Sequence, residues 1–324
     1  MENECASHVY HTETEESQVC WWKPYCKIKI VLLSRQPDEK MASITSVNAD
    51  PAGANIREPR FAFGKNWQNF LQCVDDQRIA EAEKSLCSML ETQDLKGKSF
   101  LDIGCGSGLF SLAALRLGAS RVHSFDFDLQ SVACAQTLKS RYFQQAQNWT
   151  IEPGSVLDTE YLARVGQFDV VYSWGVLHHT GNMWQALENV IASVAPNGKL
   201  FIALYTDHDV YSRMWTAVKK RYSRHLLWRV PIIALFGSYF AIRGLVKDLI
   251  TLTNPIKRYR EYKGFRGMSY FTDLLDWLGG YPFEVAKPEA VFDFFRAKGF
   301  ELTRLTTAGR FHGNNEYVFR KRSQ

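Results

Sequence analysis

Short apolar runs alternate with amphipathic stretches through the middle of the chain. Apolar runs with the length and composition of buried strands occur at residues 99–103, 121–125 and 200–205, in a run that begins at Phe168, and in a run before Gly154. Residues 109–117 and 183–194 have the spacing of helices, ended by Gly118 and by a turn at 196–198. This alternation predicts a parallel, doubly wound α/β sheet.

Both flanks of this region add elements. Apolar residues recur at helical intervals from Phe70 to Leu90, with Asn66 as a candidate cap. Towards the C-terminus, a helix is predicted over 288–298, followed by strands at 300–306 and 316–320. We therefore expect four parts: a largely disordered tail (1–59), a core (60–205), an insertion (206–287) and a C-terminal helix and hairpin (288–324). Met41 is a candidate alternative start.

The most informative ten residues are 99–108, SFLDIGCGSG, where a strand meets three glycines spaced G-x-G-x-G. Glycine lets a backbone take positive φ and approach a ligand closely, and the helix that follows offers free N–H groups. Dinucleotide-binding enzymes use the spacing G-x-G-x-x-G instead. The next strand ends in Asp126, placed for ribose hydroxyls, and Val156 and Asp158 suit an adenine ring.

These motifs, with the V-L-H-H element at 176–179, resemble the class I S-adenosylmethionine-dependent methyltransferases, near the ubiquinone-biosynthesis and small-molecule O-methyltransferases. The resemblance covers about residues 61–321 and is most specific over 100–198. It implies a seven-stranded sheet with its last strand antiparallel, and S-adenosylmethionine as cofactor. The implied cofactor contacts are Asp102, Gly104, Cys105, Gly106, Gly108, Asp126, Phe127, Val156, Asp158 and Trp174. Phe127 and Val156 suit ordinary core packing equally well.

Two histidines follow the fourth strand, where the methyl group is expected. A nearby imidazole can remove the proton of a hydroxyl acceptor. Relatives with the same pair use the first histidine as base, so the resemblance implies His178, with His179 holding the backbone or substrate. Hydrogen bonding of the loop is the structural alternative. No metal or covalent catalysis is implied.

Other segments are predicted to border the acceptor site. Some relatives place an acid after strand five, whereas this chain has Tyr205 there, which leaves Tyr205 or His312 as helpers to the base. The loop 307–315 should rim the pocket, the loop 276–284 should close one wall, and residues 61–67 suit a flap over the cofactor.

The insertion concentrates the positive charge of the chain. Residues 211–266 hold thirteen lysines and arginines against two acids, a net of +11, whereas the whole chain is +5. Residues 230–242 carry no charge, a run shorter than the roughly 20 residues that span a bilayer. The insertion therefore suits a lid or a membrane-interface surface, or a helical subdomain with a solvated basic face.

We expect O-methylation of a small or lipid-like hydroxylated molecule, with peripheral membrane contact through the insertion as a further partner. Methylation of RNA, in particular tRNA, is the alternative, and a non-catalytic cofactor-binding regulator is a third. The Asn/Asp-Pro-Pro and Pro-Cys elements of amino-directed and cytosine-C5 nucleic-acid methyltransferases are absent from the expected positions. Seven cysteines without framework spacing and an acidic, polar N-terminus favour the cytoplasm.

Overall fold

The computed structural model describes residues 67, 70, 71, 74–256, 270–309 and 313–323. Within these residues the strands are β1 (Ser99–Ile103), β2 (Arg121–Asp126), β3 (Trp149–Pro153), β4 (Phe168–Trp174), β5 (Val194–Tyr205), β6 (Phe300–Thr306) and β7 (Asn314–Lys321). The helices are α1 (Asp76–Leu90), α2 (Leu109–Arg116), α3 (Leu129–Tyr142), α4 (Thr159–Val165), α5 (Met183–Ala192), α6 (Val210–Arg224), α7 (Leu226–Ile250), α8 (Tyr270–Gly279) and α9 (Pro288–Ala297). A single 3-10 turn covers Leu177–His179.

The strands form one seven-stranded sheet in the order β3-β2-β1-β4-β5-β7-β6. Strands β1 to β5 are parallel, and β7 runs antiparallel to both β5 and β6. The predicted fold class is therefore confirmed, including the antiparallel last strand. Because β7 is reversed, its first residues lie beside the carboxyl end of β5, with Asn314 opposite Tyr205.

Helices cover both faces of the sheet, and alternate side chains of each strand enter separate cores. Phe100 of β1 packs with α1, α2 and α3, whereas its neighbour Leu101 packs with α4, α5 and α9. The carboxyl ends of the parallel strands are left as one edge where loops meet. Ligands of open α/β sheets bind at that edge.

Two predicted boundaries differ from the structure. Strand β5 begins at Val194 rather than at 200, and the predicted turn survives as an irregularity inside it. The β4–β5 register jumps from the pair Phe168/Val194 to the pair Val170/Lys199, which loops out the intervening residues of β5. Helix α1 starts at Asp76 rather than near Phe70, because Asp75 caps it with a side-chain oxygen that accepts from the Arg78 N–H at 2.9 Å.

The insertion between β5 and α9 contains α6, α7 and α8; residues 1–66 and 257–269 lie outside the described part. The uncharged run 230–242 is the middle of a single helix of 25 residues, not a separate short segment. The apolar helix is therefore longer than the uncharged run that the sequence showed, because Arg229 and Arg243 do not interrupt it. By length and composition α7 can cross a membrane, the one helix among the described residues that can.

Candidate active site

The glycine turn after β1 adopts the conformation that its spacing predicts. Gly104, Gly106 and Gly108 all have positive φ, at 72°, 53° and 78°. A Cβ on Gly104 would lie 2.4 Å from the side chain of Val176, and one on Gly106 would lie 2.7 Å from the indole of Trp67. The turn is therefore a cradle that only glycine can form.

Asp126, at the end of β2, is tied to that cradle. Its carboxylate accepts hydrogen bonds from the backbone N–H groups of Gly106 and Asp128, each at 2.9 Å. Burial raises the pKa of Asp126 to about 6, although these two hydrogen bonds act to lower it. The side chain thus stands beside the glycine turn, where a ribose would be expected.

Asp102 lies one residue before the end of β1 and is buried. Its carboxylate accepts from the Ser111 hydroxyl at 2.5 Å, and Ser111 is in turn 2.7 Å from the Ser124 hydroxyl. Burial raises the pKa of Asp102 to about 7; the Ser111 hydrogen bond opposes this and the charge of Asp126 adds to it. A carboxyl group held this way can respond to a cationic ligand by ionising.

The remaining predicted cofactor contacts surround the same edge. Cys105 is buried inside the turn, and Phe127 follows Asp126. Val156 is buried in the core, whereas Asp158 caps α4, its side chain accepting from the Tyr161 N–H at 2.9 Å. Trp174 ends β4. The structure brings the predicted set to one edge of the sheet, and their contacts with a cofactor stay predictions.

The histidine pair occupies the 3-10 turn after β4, and its hydrogen bonds distinguish the two rings. His178 is fully buried, and its Nδ1 accepts from the Tyr205 backbone N–H at 3.3 Å. A neutral ring with an accepting Nδ1 carries its proton on Nε2. His179 is half-buried, and its Nδ1 lies 2.6 Å from the Pro282 carbonyl oxygen, so Nδ1 holds the proton and Nε2 is the basic nitrogen.

A cluster of aromatic rings and one amine surrounds the pair. The Tyr205 ring lies 4.1 Å from that of His178 between centroids, at an interplanar angle of 43°, and 5.0 Å from that of Phe283. The Lys219 ammonium, from α6, lies 4.7 Å from the Trp277 ring centroid and 5.0 Å from that of Phe283, and it donates to the Trp277 carbonyl. Burial lowers the pKa of Lys219 to about 7.

Burial also keeps both histidines neutral. It lowers the pKa of His179 to about 4, with the Lys219 charge adding to the effect and the Pro282 hydrogen bond opposing it. Burial lowers the pKa of His178 well below its usual value, assisted by the charges of His179 and Lys219. Lys219 and Tyr205 both contact the Phe283 ring, and Tyr205 contacts both histidines, so the insertion lies close to the histidine pair.

Sequence reasoning missed three charged residues near this site. Lys219 was counted only among the basic residues of the insertion. Glu284 donates its N–H to the His178 carbonyl at 3.0 Å and accepts from the Met183 N–H at 3.1 Å. Glu316, in β7, accepts from the Trp174 indole N–H at 2.8 Å. The alternation of side chains along β7 could have placed Glu316 on the opposite face of the sheet from its neighbours Asn315 and Tyr317.

The predicted surrounding segments are partly described. His312 lies outside the described residues, as do residues 61–66 of the proposed flap. Trp67, the last residue of that flap, contacts the glycine turn. The segment 276–284 does border the histidines, although its first part is the end of α8 rather than a loop. Among the described residues, no group of three His, Cys, Asp or Glu could hold a metal ion.

The residues present fit a nucleoside cofactor with a charged tail. A turn without side chains gives room for close approach, Asp126 lies after β2, and Asp102 lies below the turn. His178 lies at the same edge of the sheet, and its buried Nε2 has no hydrogen-bond partner among the described residues.

Comparison with known proteins agrees with this geometry. Residues 101–200 match the family model described as methyltransferase domain. A tRNA U34 carboxymethyltransferase from Idiomarina loihiensis is 30% identical over 191 residues, 56% of this chain and 56% of that protein. A ribosomal protein L11 methyltransferase from Legionella pneumophila (strain Lens) is 40% identical over 90 residues, 27% of each chain. The chain thus spans between about a quarter and about half of the length of these curated relatives.

A solved structure of similar fold is that of the [4+2]-cyclase SpnF, with a TM-score of 0.50 and 12% sequence identity, covering 82% of this chain and 98% of that one. That likeness extends the shared fold beyond the matched 100 residues. The family match, the strand order and the glycine cradle agree with one another. The chain carries a class I methyltransferase domain, and S-adenosylmethionine is the cofactor of that family.

Proposed function

We propose that this protein methylates the hydroxyl oxygen of a small or lipid-like acceptor, with His179 as the base. The observation that carries the proposal is the 2.6 Å contact between His179 Nδ1 and the Pro282 carbonyl oxygen. A carbonyl oxygen can only accept, so this contact places the proton on Nδ1 and makes Nε2 the basic nitrogen of the ring. His178, expected from the resemblance to be the base, has its Nδ1 engaged with Tyr205 and is fully buried.

S-adenosylmethionine, when bound, supplies an electrophilic methyl group on a sulfonium. The chain then has to hold the acceptor oxygen close to that group, exclude water and receive one proton. The low pKa of His179 keeps Nε2 unprotonated at neutral pH. Positioned general bases contribute on the order of 10² to 10⁴-fold in rate, most when their pKa lies near the operating pH.

The walls of the site support an acceptor with an apolar, planar body. Tyr205 contacts both histidine rings and the Phe283 ring, and the Lys219 ammonium lies over the rings of Phe283 and Trp277. Aromatic side chains bind planar rings through offset or edge-to-face contacts. A hydroxylated ring, such as a quinol, fits such walls better than a fully polar molecule does.

The test separates cofactor binding from transfer. Calorimetric titration with S-adenosylmethionine comes first, with NADH as the control ligand. Labelled S-adenosylmethionine is then incubated with short-chain quinols, and label is measured in the organic extract. Binding without transfer to any quinol or RNA supports the regulatory alternative, and binding of NADH alone refutes the cofactor assignment.

Two isosteric variants test the assignment of the base. In His179→Asn the amide nitrogen can keep the contact with Pro282, so cofactor affinity should persist while transfer falls by about 10² to 10⁴-fold. In His178→Asn the amide oxygen can still accept from Tyr205, so transfer should fall by less than about tenfold. The reverse order of effects would return the role of base to His178.

Methylation of tRNA is the second candidate, because one relative is a tRNA U34 carboxymethyltransferase. The basic residues of the insertion support it, since phosphate contacts come mainly from lysine and arginine. The same assay with unfractionated tRNA, read in acid-precipitable RNA, tests this candidate. Transfer to tRNA should weaken steeply with added salt, whereas transfer to a neutral quinol should change little.

A further inference from the structure

The outer surface of α7 is an uncharged apolar stripe. Leu227, Leu235, Ile242 and Leu249 are 91%, 65%, 62% and 65% exposed, and steps of seven or eight residues place them on one side of the helix. The basic residues of α7 project to other sides by the same period. Among the described residues, none packs over this stripe.

The inner surface of α7 is apolar as well, and it is covered. Ile232 is buried against α6 and α8, and the Phe236 ring lies 4.7 Å from that of Trp215. The Phe240 ring lies 5.6 Å from that of Trp277. A helix that is apolar on all sides normally lies in a core or in contact with lipid. Because α7 is at the surface of the described part of the chain, no apolar partner from those residues covers its outer side.

Positive charge lies at the N-terminal end of the stripe. Lys220, Arg221, Arg224 and His225, from the end of α6 and the start of α7, line one surface depression. Residues 211–256 hold eight lysines and arginines, and their one acid, Asp248, is buried. The apolar stripe and the cationic residues are thus adjacent at the N-terminal end of α7.

We propose that α7 lies in the interface of an anionic lipid bilayer, with its outer stripe among the acyl chains and the basic end at the headgroups. RNA would use the basic end but leave the apolar stripe in water. A second copy stacked stripe to stripe would cover the apolar side chains but offer the basic end no exposed acid of the same segment, since Asp248 is buried. An anionic membrane satisfies both features at once.

The packing of α7 decides how it meets the bilayer. Its inner side holds Ile232, Phe236 and Phe240 against the rest of the insertion, so crossing the membrane would break these contacts. The helix is about 37 Å long at 1.5 Å per residue, and it can lie along the membrane surface without losing them. The proposal goes beyond the methylation reaction and does not depend on which acceptor is used.

Vesicle flotation of the full chain tests this surface. The probes are vesicles of phosphatidylcholine alone and of phosphatidylcholine mixed with phosphatidylglycerol. The wild-type protein should float with the mixed vesicles, and Leu235→Glu with Ile242→Glu should weaken that binding at least about tenfold. Leu129→Glu, at a residue of α3 that is 59% exposed, is the matched control and should bind as the wild type does.

The charged end has its own variant. Replacing Lys220, Arg221 and Arg224 by Gln should lower affinity for the mixed vesicles on the order of a hundredfold, and added salt should do the same. Hydrogen exchange over residues 226–250 should slow when vesicles are added. This second measurement does not depend on any variant.

Several results would overturn the proposal. If the Leu235/Ile242 variant floats as well as the wild type, the stripe does not contact the membrane. If the wild-type protein floats equally with neutral vesicles, charge does not contribute to the binding. Resistance to alkaline carbonate would mean that α7 crosses the bilayer. A thermal midpoint lower than that of Leu129→Glu would mean that another part of this chain covers the stripe. Binding of tRNA without binding of vesicles would assign the basic end to RNA.

Discussion

Replacing Lys219 by Met should change the pH dependence of stability, because this amine is buried in an aromatic cluster. The side chain is 2% exposed, and burial lowers its pKa from 10.5 to about 7. Between these two values the unfolded chain holds a proton that the folded chain has released. Wild-type stability therefore rises with pH across that window, while the contribution is constant below about pH 6.

The magnitude follows from the two pKa values. At 1.36 kcal/mol per pKa unit, a group that titrates at about 7 when folded and 10.5 when unfolded adds about 2.5 kcal/mol to wild-type stability between pH 6 and pH 9. Met has no such term, so the difference in unfolding free energy between Lys219→Met and wild type should shift by that amount. The lost hydrogen bond to the Trp277 carbonyl adds an offset that does not vary with pH.

The assay is urea unfolding of both proteins at about pH 6, 7.5 and 9, with each difference taken at one pH so that all other titrating groups cancel. Lys220→Met removes a positive charge from the same helix and is the matched control. A difference for Lys219→Met that is constant from pH 6 to pH 9 would refute the burial argument. A shift of opposite sign would mean that the amine is stabilised as a cation in the fold.

Three further predictions concern the cofactor edge. Gly106→Ala should weaken S-adenosylmethionine binding in calorimetry by at least about tenfold, because the added Cβ would meet Trp67. Gly97 has a similar φ of 71° but open space around it, so Gly97→Ala should keep the affinity. Asp126→Ala should abolish cofactor binding, and unchanged affinity would show that this carboxylate does not hold the ribose. The pKa of Asp102 is about 7 in the folded chain against 3.8 for a free carboxyl, so the free energy of unfolding falls as pH rises between these values. Asp102→Asn should remove up to about 4 kcal/mol of this fall, measured by urea unfolding at about pH 4 and pH 7.

The parts of the site that sequence predicted are those that depend on neighbours in the chain. The glycine turn is local: a strand, three glycines and a helix follow one another, and positive φ at each glycine is a property of that short segment. Asp126 could be placed because it directly ends a strand of the same sheet. Val156 and Asp158 lie at the edge of the sheet where the sequence placed them. Their roles in the core and as the cap of α4 could not be predicted from the sequence.

The insertion shows the limit of counting residues along the chain. The uncharged run 230–242 was bounded by two arginines, yet the helix continues past both, because a charge on one side of a helix does not end it. Its buried and exposed sides could be separated only after α6 and α8 were seen to pack on one of them.

The sheet, the glycine cradle and the pair of histidines after β4 could be predicted from the sequence, since each follows from hydrophobic spacing or from adjacent residues. Which histidine nitrogen is basic became clear from the folded chain alone. That choice depends on the Tyr205 N–H, 27 residues from His178, and on the Pro282 carbonyl, 103 residues from His179. The same is true of Lys219, whose amine is buried by rings from distant segments. A proton's location and an amine's charge are set by the groups that surround them in space, and folding alone brings those groups together.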